Sequence, residues 1–260
     1  MTEALLTIDS LELQLGSKRL CRDLSLRIDQ GQTWGLLGRN GAGKTTLLHS
    51  ILGLHQAKAG KISIGGQALD TINRRQLALQ VGMLFQENPD SLPATVLETV
   101  MLGRHPHSQS ILGDSQQDLG IARKALEAFD LAALSGRQVQ SLSGGEKQRL
   151  ALAMLITQQP RLYLLDEPSN HLDIAFQTRM LGILRRIARE DSASLFMATH
   201  DINLASRFCD YIVLMLPDGE HRSGPAQEIL QEDLLSAAYD CRIRQLQKDD
   251  LALFYPEEAS

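Results

Sequence analysis

The chain has 260 residues, of which 43% are hydrophobic, and its formal net charge is −5. This length and composition indicate one domain, or one domain with a lobe, that is able to bury a hydrophobic core. The negative charge argues against a primary nucleic-acid binder, and the longest apolar runs are far shorter than the ~20 residues that a transmembrane helix needs.

The N-terminal part of the chain predicts strands. Apolar and polar residues alternate from Leu5 to Ile28, which is typical of antiparallel strands with one solvated face. Lys61–Ile64, followed by two glycines, predicts a further strand and turn. The first residues lack the basic start and apolar block of a signal peptide, so we expect none. We also expect isolated, buried thiols rather than disulfides or a zinc site at the three widely spaced cysteines, Cys21, Cys209 and Cys241.

A glycine-rich loop at Gly38–Thr45 is the first motif that carries chemistry. It fits the pattern G-x-x-x-x-G-K-[ST] in full, and it joins the apolar run Trp34–Leu37 to a segment with apolar residues at helical spacing. Such a loop binds a nucleoside triphosphate, because its backbone N–H groups face the phosphate oxygens. We expect Lys44 to reach the β- and γ-phosphates and the Thr45 hydroxyl to bind Mg²⁺. The predicted nucleotide contacts are Gly38, Arg39, Asn40, Gly41, Ala42, Gly43, Lys44, Thr45 and Thr46.

Two acids end a second apolar strand. Leu162–Leu165 are followed by Asp166 and Glu167, and a strand of a parallel sheet presents its carboxyl end to the crevice where ligands bind. We therefore expect Asp166 to bind Mg²⁺, directly or through water. Glu167 is the candidate general base for the water that attacks the γ-phosphate. The alternative is that both acids only cap the next helix.

Two more polar side chains follow predicted strands. Gln86 follows Val81–Phe85, and we expect its neutral amide to contact Mg²⁺ or water. His200 follows Ser194–Thr199, and its imidazole is expected to bond a γ-phosphate oxygen and the base, although an isolated histidine is more often structural. The predicted catalytic residues are Lys44, Gln86, Glu167 and His200, and the predicted metal ligands are Thr45, Gln86 and Asp166.

Residues 87–159 are expected to form an inserted helical lobe that ends at Pro160. The third of its helices opens at a second glycine-rich turn, Leu142–Glu146, which reads Leu-Ser-Gly-Gly-Glu. A glycine-rich turn at a helix start offers another set of backbone N–H groups to an anion. The predicted helices of the lobe are Thr95–Met101, Asp118–Phe129 and Gly144–Thr157.

Residues 1–86 and 160–260 are expected to form the nucleotide-binding core with a β subdomain. Beyond the insert, the sequence predicts a helix with Phe176 to Ile187 on its apolar side, a strand at Tyr211–Leu216, an amphipathic helix at Ala226–Ala238, and a hairpin of Arg242–Leu246 with Leu251–Tyr255.

Taken in order, these motifs resemble the ATP-binding cassette (ABC) ATPases over nearly the whole chain. The family signature usually ends in Gln, whereas here it ends in Glu146. The resemblance implies an α/β fold, a P-loop NTPase (RecA-like) core with an antiparallel β subdomain and an inserted α-helical subdomain. The similar segments are Gly38–Thr45 (Walker A), Gln86 (Q-loop), Leu142–Glu146 (signature), Leu162–Glu167 (Walker B), Ser169–Asp173 (D-loop) and His200 (switch histidine).

The resemblance also implies a function and partners. It implies Mg²⁺-dependent ATP hydrolysis by a homodimer in which the signature of one protomer contacts the ATP of the other. An insert that separates the signature from the phosphate loop of its own chain agrees with such contact. The other implied partners are two integral membrane permease subunits and, indirectly, a substrate-binding protein; no nucleic acid is implied. The chain would then lie peripherally at the cytoplasmic face of the inner (plasma) membrane. The residues that would act across the dimer are Ser143, Gly144, Gly145 and Glu146, with Asp173 in the D-loop.

The turn Gly103–His107 indicates which subfamily of ABC ATPases the chain resembles. It reads Gly-Arg-His-Pro-His and resembles ATPases of importers for iron-siderophore complexes, haem and vitamin B12. We interpret its two histidines as part of a Pro-containing turn rather than as a metal site. Apolar residues in the segment 87–107 either dock a membrane partner or fill the core of the lobe; they include Leu92, Val96 and Met101.

One departure from the family concerns the base of the nucleotide. The aromatic residue that usually stacks on adenine should fall near Leu15, yet no aromatic residue precedes Trp34. Either Leu15 packs on the purine or the base is held loosely. The alternative functions are a soluble ABC ATPase of translation or DNA repair, an ABC ATPase for another cargo, and a P-loop switch or small-molecule kinase.

Overall fold

A computed structural model describes residues 4–85, 93–108, 115–168, 173–248 and 251–257. Its strands are β1 (Ala4–Leu15), β2 (Lys18–Asp29), β3 (Thr33–Leu37), β4 (Ala59–Ile64), β5 (Gln67–Ala68), β6 (Val81–Leu84), β7 (Leu162–Asp166), β8 (Ser194–Thr199), β9 (Tyr211–Met215), β10 (His221–Pro225), β11 (Ile243–Lys248) and β12 (Leu251–Pro256). Its α-helices are α1 (Lys44–Ile51), α2 (Arg74–Gln80), α3 (Val96–Met101), α4 (Gln116–Ala128), α5 (Gly144–Gln158), α6 (Ile174–Glu190), α7 (Ile202–Phe208), α8 (Ala226–Ile229) and α9 (Glu232–Tyr239).

The central layer is a six-stranded sheet with the strand order β10-β9-β3-β8-β7-β6. Neighbouring strands run parallel except for β10, which runs antiparallel to β9. Leu37 of β3 lies opposite Thr199 of β8, and Asp166 of β7 lies opposite Ala198 of β8. The residues that follow β3, β7 and β8 therefore meet at one edge of the sheet.

Both faces of this sheet are covered, which explains why its strands read as uninterrupted apolar runs. Every residue of β3, β7 and β8 is buried. One hydrophobic cluster joins the sheet to α1 and the N-terminal strands, and Leu36, Leu47 and Ile28 belong to it. A second cluster joins the other face to α5 and α6 and continues through the inserted helices.

The N-terminal strands form a separate antiparallel sheet with the order β2-β1-β4-β5. Leu6 of β1 lies opposite both Ile28 and Ile64, and all three side chains are buried. The alternation of apolar and polar residues thus places one face of this sheet in the core, so the antiparallel strands predicted from the pattern are confirmed.

The inserted segment contains α3, α4 and α5, close to the predicted bounds. Thr95 caps α3 and Ser143 caps α5, each in a capping box with the glutamate three residues later. α5 ends where Gln159 adopts a left-handed conformation (φ 51°) before Pro160. The predicted boundary between core and lobe at residues 86–87 lies outside the described residues, so the division into subdomains stays a prediction.

The apolar residues considered for docking belong to the core of this segment. Val96 and Met101 are both buried in the cluster that includes α5. Reading them as an exposed docking surface was therefore wrong, because the apolar face of α3 packs inward against α4 and α5. Leu92 lies outside the described residues.

The C-terminal segment differs from the sequence prediction in one respect. The helix predicted at Ala226–Ala238 is two helices, α8 and α9, because the backbone leaves the helical region at Leu230 (φ −80°, ψ 66°) and is extended at Gln231. Ile229 and Leu230, at this break, are both buried. The predicted hairpin is present as β11 and β12.

The cysteines are partly as expected. Cys21 and Cys209 are buried, and burial raises the pKa of the Cys21 thiol to about 11 and that of Cys209 to about 12. Cys241 is exposed, because it follows α9 in a surface turn, so the expectation of a buried thiol was wrong there. Among the described residues, no helix has the length and apolar character needed to cross a bilayer.

Candidate active site

The phosphate loop connects β3 to α1 and has the backbone curvature that its glycines allow. Gly38 and Gly43 have φ angles of 153° and 106°, which non-glycine residues rarely adopt. A Cβ on Gly43 would lie 2.8 Å from the Cβ of Leu20, so this position also excludes a side chain. The loop side chains of Arg39 and Asn40 are exposed, and Thr45 and Thr46 lie half-buried in the first turn of α1.

Lys44 lies folded against this loop. Its Nζ donates hydrogen bonds to the carbonyl oxygens of Gly38 (2.8 Å) and Arg39 (3.4 Å), and it lies 3.7 Å from Oε1 of Glu167. Burial lowers the pKa of Lys44, while the negative charges of Glu167 and Asp166 oppose this shift. The ammonium group is thus a buried cation at the point where the loop meets the end of β7.

Asp166 fits a divalent cation. Both of its carboxylate oxygens are buried, and neither has a hydrogen-bond partner of normal geometry among the described residues. Burial raises its pKa; the Thr45 hydroxyl is near enough to oppose the rise, as are the charges of His49 and Lys44. A buried carboxylate without partners is costly, and Mg²⁺ prefers oxygen ligands of this kind.

The donor set that accompanies Asp166 is small. In the described ranges, no three His, Cys, Asp or Glu side chains form a group that could hold a metal ion. This agrees with Mg²⁺ bound through one carboxylate, a hydroxyl and nucleotide phosphates, since Mg²⁺ usually keeps water and phosphate ligands. Gln86, the third predicted ligand, lies outside the described residues.

Glu167 has an unusual backbone conformation. Its φ is 48°, in the left-handed region that is strained for a non-glycine residue, and its N–H donates to the carbonyl of Ala198 in β8 at 3.0 Å. The side chain is buried, with Oε2 2.9 Å from Nδ1 of His200. The structure thus brings Lys44, Asp166, Glu167 and His200 together at one edge of the central sheet.

The signature residues lie at the start of α5 and make local contacts. The Ser143 hydroxyl accepts from the Glu146 N–H (3.3 Å), and the Glu146 carboxylate accepts from the Ser143 N–H (2.7 Å), which holds the pKa of Glu146 below its usual range. Ser143 and Gly144 are exposed, and a Cβ on Gly144 would meet no atom within 4 Å. The chain itself therefore does not require glycine there.

A family model described as ABC transporter matches residues 21–170, which include the phosphate loop, the signature and both acids at the end of β7. The chain belongs to the ABC transporter family. The hemin import ATP-binding protein HmuV of Rhizobium meliloti is 36% identical over 242 residues, which are 90% of this chain and 90% of that protein. The cobalamin import ATP-binding protein BtuD of Halobacterium salinarum is 33% identical over 92% of this chain.

The chain spans 59% of the length of that BtuD protein and 52% of another curated relative. Among solved structures, an inward-facing ABC transporter described as of the metal-chelate type superimposes with a TM-score of 0.83 and 26% identity, covering 98% of both chains. The fold of this ABC protein is therefore an ABC ATPase fold, with an α/β P-loop NTPase core and a helical subdomain, as the sequence predicted.

The turn Gly103–His107 closes the C-terminal end of α5. Arg104 Nη1 donates to the carbonyl of Thr157 (3.0 Å), and His107 Nε2 lies 2.7 Å from the carbonyl of Gln158. Carbonyls at a helix end lack partners within the helix, so this turn satisfies them. The N–H groups of His105 and His107 donate to the carbonyls of Leu102 (3.1 Å) and Arg104 (2.9 Å), which supports the interpretation of both histidines as part of a turn.

Asp173 and Leu15 were predicted to lie at the dimer interface and at the base of the nucleotide, respectively. The Asp173 side chain caps α6 by accepting from the Phe176 N–H at 2.8 Å, and the rest of the D-loop lies outside the described residues. Leu15 is 59% exposed at the end of β1, so its surface is available to a base.

Sequence reasoning missed two residues beside the phosphate loop. Lys18 Nζ donates to the carbonyl of Gly41 at 2.8 Å and ties the β1–β2 turn to the loop. Tyr239 donates to the carbonyl of His200 at 3.3 Å. Neither belongs to a motif, and both contacts join segments distant in sequence, so no local signal pointed to them.

Proposed function

We propose that the chain is the ATP-hydrolysing, nucleotide-binding subunit of an ABC importer that powers uptake of a metal chelate such as an iron-siderophore complex, haem or cobalamin. The observation that carries this proposal is the group Lys44, Asp166, Glu167 and His200 at the carboxyl ends of neighbouring strands. The family match over residues 21–170 supports ATP as the nucleotide.

In this proposal the chain binds ATP through the loop from Gly38 to Thr46. The backbone N–H groups of the loop surround the phosphates, and Lys44 exchanges its hydrogen bonds with loop carbonyls for bonds to the β- and γ-phosphate oxygens. Asp166, Thr45 and Gln86 would hold Mg²⁺, which would supply positive charge to the phosphate oxygens.

Glu167 is the proposed general base. Its buried carboxylate accepts a proton from the water that attacks the γ-phosphorus, while ADP leaves from the opposite side. His200 donates its Nδ1 hydrogen to the ionised Glu167 carboxylate and contacts a γ-phosphate oxygen with the rest of the ring. A carboxylate held at one place by a neighbouring histidine requires little reorganisation during the reaction.

The proposed active unit is a homodimer with two shared sites. Ser143, Gly144, Gly145 and Glu146 would contact the ATP bound to the loop of the partner, and Asp173 would lie at the same interface. The open space at Gly144 supports this arrangement, because a helix start without a close neighbour in its own chain leaves room for an anion.

The proposed membrane partners are two permease subunits, with a substrate-binding protein delivering the cargo to them. The chain would then lie peripherally at the cytoplasmic face of the inner (plasma) membrane. The names of the hemin and cobalamin relatives and the metal-chelate type of the similar structure support this class of cargo. Leu102 is exposed and lines a groove of about 370 Å³ together with Met83 and Pro106, so we place permease docking there rather than at Val96 or Met101.

Phosphate release and membrane association test this proposal together. The full chain should release phosphate from ATP with Mg²⁺ and not with EDTA, and it should co-purify with integral membrane proteins when it is tagged in its native cells. Hydrolysis without a membrane partner would favour the alternative of a soluble ABC ATPase. Absence of hydrolysis, both alone and with the membrane proteins, would exclude the ATPase function.

A further inference from the structure

The C-terminal segment reaches the candidate active site through Tyr239, the last residue of α9. Its hydroxyl donates a hydrogen bond to the carbonyl oxygen of His200 at 3.3 Å. Because Leu37 lies opposite Thr199, the residues that follow these strands, Gly38 and His200, are neighbours. Burial raises the pKa of Tyr239, and the Gly38 backbone opposes this rise, so the protonated hydroxyl lies between the phosphate loop and the end of β8.

Two other contacts hold the segment against the same strand ends. Asn203 of α7 binds the backbone of Phe254 in β12 in both directions: its Nδ2 donates to the carbonyl (3.0 Å) and its Oδ1 accepts from the N–H (2.7 Å). Arg39 Nη1 lies 3.1 Å from Asp240 Oδ2, although both side chains are exposed and such an ion pair contributes little. α7 begins two residues after His200, so the hairpin and α9 both restrain the backbone there.

The His200 side chain depends on this restraint. It is 58% exposed, and the structure describes one hydrogen bond for the ring, from Nδ1 to Oε2 of Glu167 at 2.9 Å. The exposed ring has few packing contacts to hold it, so whether Nδ1 reaches Glu167 depends on where the backbone places the Cα from which the rotamers start. A backbone shift of about 1 Å would take the ring beyond hydrogen-bond distance of Glu167.

We propose that Tyr239 is a positioning residue for ATP hydrolysis, whose hydrogen bond to the His200 carbonyl holds the imidazole against the Glu167 carboxylate. This inference rests on the proposed ATPase function. Tyr239 acts through His200 and not on the nucleotide. The C-terminal segment then contributes to ATP hydrolysis, although it lies after all the recognised motifs in the sequence.

The test is Tyr239→Phe in the full chain, which removes one hydroxyl and leaves the ring. We expect kcat to fall about 3- to 10-fold, the range that loss of one hydrogen bond allows, with KM for ATP unchanged. The matched control is Tyr255→Phe, since Tyr255 lies on the outer face of β12 and is 49% exposed. That variant should keep the kcat of the wild type.

A second measurement reads His200 without turnover. In protein labelled with ¹⁵N-histidine, the His200 imidazole signals are assigned by their loss in His200→Ala. In Tyr239→Phe, we expect the ¹⁵N chemical shifts of the His200 ring to move toward the values of free imidazole. In Tyr255→Phe, we expect these chemical shifts to stay unchanged. This measurement still tests the positioning role if the wild-type chain does not hydrolyse ATP, in which case the ATPase proposal fails on its own.

Three results would overturn the inference. One is an unchanged kcat in Tyr239→Phe, and another is an equal loss of kcat in Tyr255→Phe. The third is a fall in kcat accompanied by a lower Tm while the His200 signals stay in place, because that combination indicates a purely structural role for Tyr239.

Discussion

Oε2 of Glu167 lies 2.9 Å from Nδ1 of His200, and this contact joins the ends of two neighbouring strands, β7 and β8. The glutamate is buried and held in a left-handed backbone conformation, whereas the histidine is largely exposed. The buried glutamate therefore supplies a group shielded from solvent, and the exposed part of the histidine ring is accessible to a phosphate that enters from solvent. This division of roles underlies the predictions for the site.

The first prediction concerns Glu167→Gln. The amide keeps the shape of the side chain but cannot accept the proton of the attacking water, so hydrolysis should be at least ~100-fold slower while ATP still binds. Single-turnover phosphate release and ATP binding measure the two effects, and size-exclusion chromatography with ATP should reveal a trapped dimer. The control is Glu190→Gln at the exposed end of α6, which makes the same chemical change away from the site and should hydrolyse ATP normally. Near-normal turnover in Glu167→Gln would show that Glu167 is not the general base.

The second prediction concerns shared sites. We mix chains carrying Lys44→Ala with chains carrying Ser143→Arg and cross-link the mixed dimers. If the loop and the signature of opposite protomers bind the same ATP, one site is free of both changes and one ATP per dimer should be occluded. If each chain used its own two motifs, both sites would be damaged. Occlusion at neither site therefore contradicts the shared arrangement.

The third prediction concerns Asp166→Asn. Because burial raises the pKa of Asp166 in the folded chain, the folded state binds a proton more tightly than the unfolded state. The wild type should therefore lose stability as pH rises from the ordinary Asp pKa through the raised value. Removing the unpartnered charge should increase the free energy of unfolding at neutral pH by about 1 kcal/mol, and Tm by about 2–4 °C.

The control for this experiment is Asp173→Asn, because asparagine caps a helix as well as aspartate does. Thermal unfolding without nucleotide, followed across pH, measures the difference between each variant and the wild type. Mg²⁺-ATP should stabilise the wild type and Asp173→Asn but not Asp166→Asn. A lower Tm for Asp166→Asn at neutral pH would show that the carboxylate is not an energetic cost in the nucleotide-free chain.

The fourth prediction concerns Gly103→Ala. A Cβ at this position would lie 2.4 Å from the carbonyl oxygen of Met154 in α5, and backbone cannot move aside cheaply. We expect a loss of about 1–3 kcal/mol in the free energy of unfolding. The control is Gly120→Ala in α4, where a Cβ meets no atom within 4 Å and alanine should stabilise the helix by about 0.5–1 kcal/mol. Chemical denaturation of both variants measures the effects, and equal stability would contradict the close packing at Gly103.

The sequence by itself determined those features of the molecule that depend on residues close together in the sequence. The phosphate loop is recognisable because the spacing of Gly38, Gly43 and Lys44 and the flanking apolar runs are all local. The start of α5 was predicted for the same reason, since the glycine-rich turn Leu142–Glu146 is also a local pattern. Two buried strands of the central sheet were predicted from apolar runs, one ending at Asp166 and the other just before His200.

Only the tertiary structure decided what depends on strand order and packing. The apolar side chain of Met101 fits either a docking surface or a core until its neighbours are known. The apolar pattern of Ala226–Ala238 likewise did not reveal the break at Leu230. The contact between Glu167 and His200 requires β7 and β8 to be adjacent, and that between Tyr239 and His200 joins residues 39 positions apart. Such contacts are set by the arrangement of whole elements, because a side chain carries no local mark of the distant backbone that it will meet.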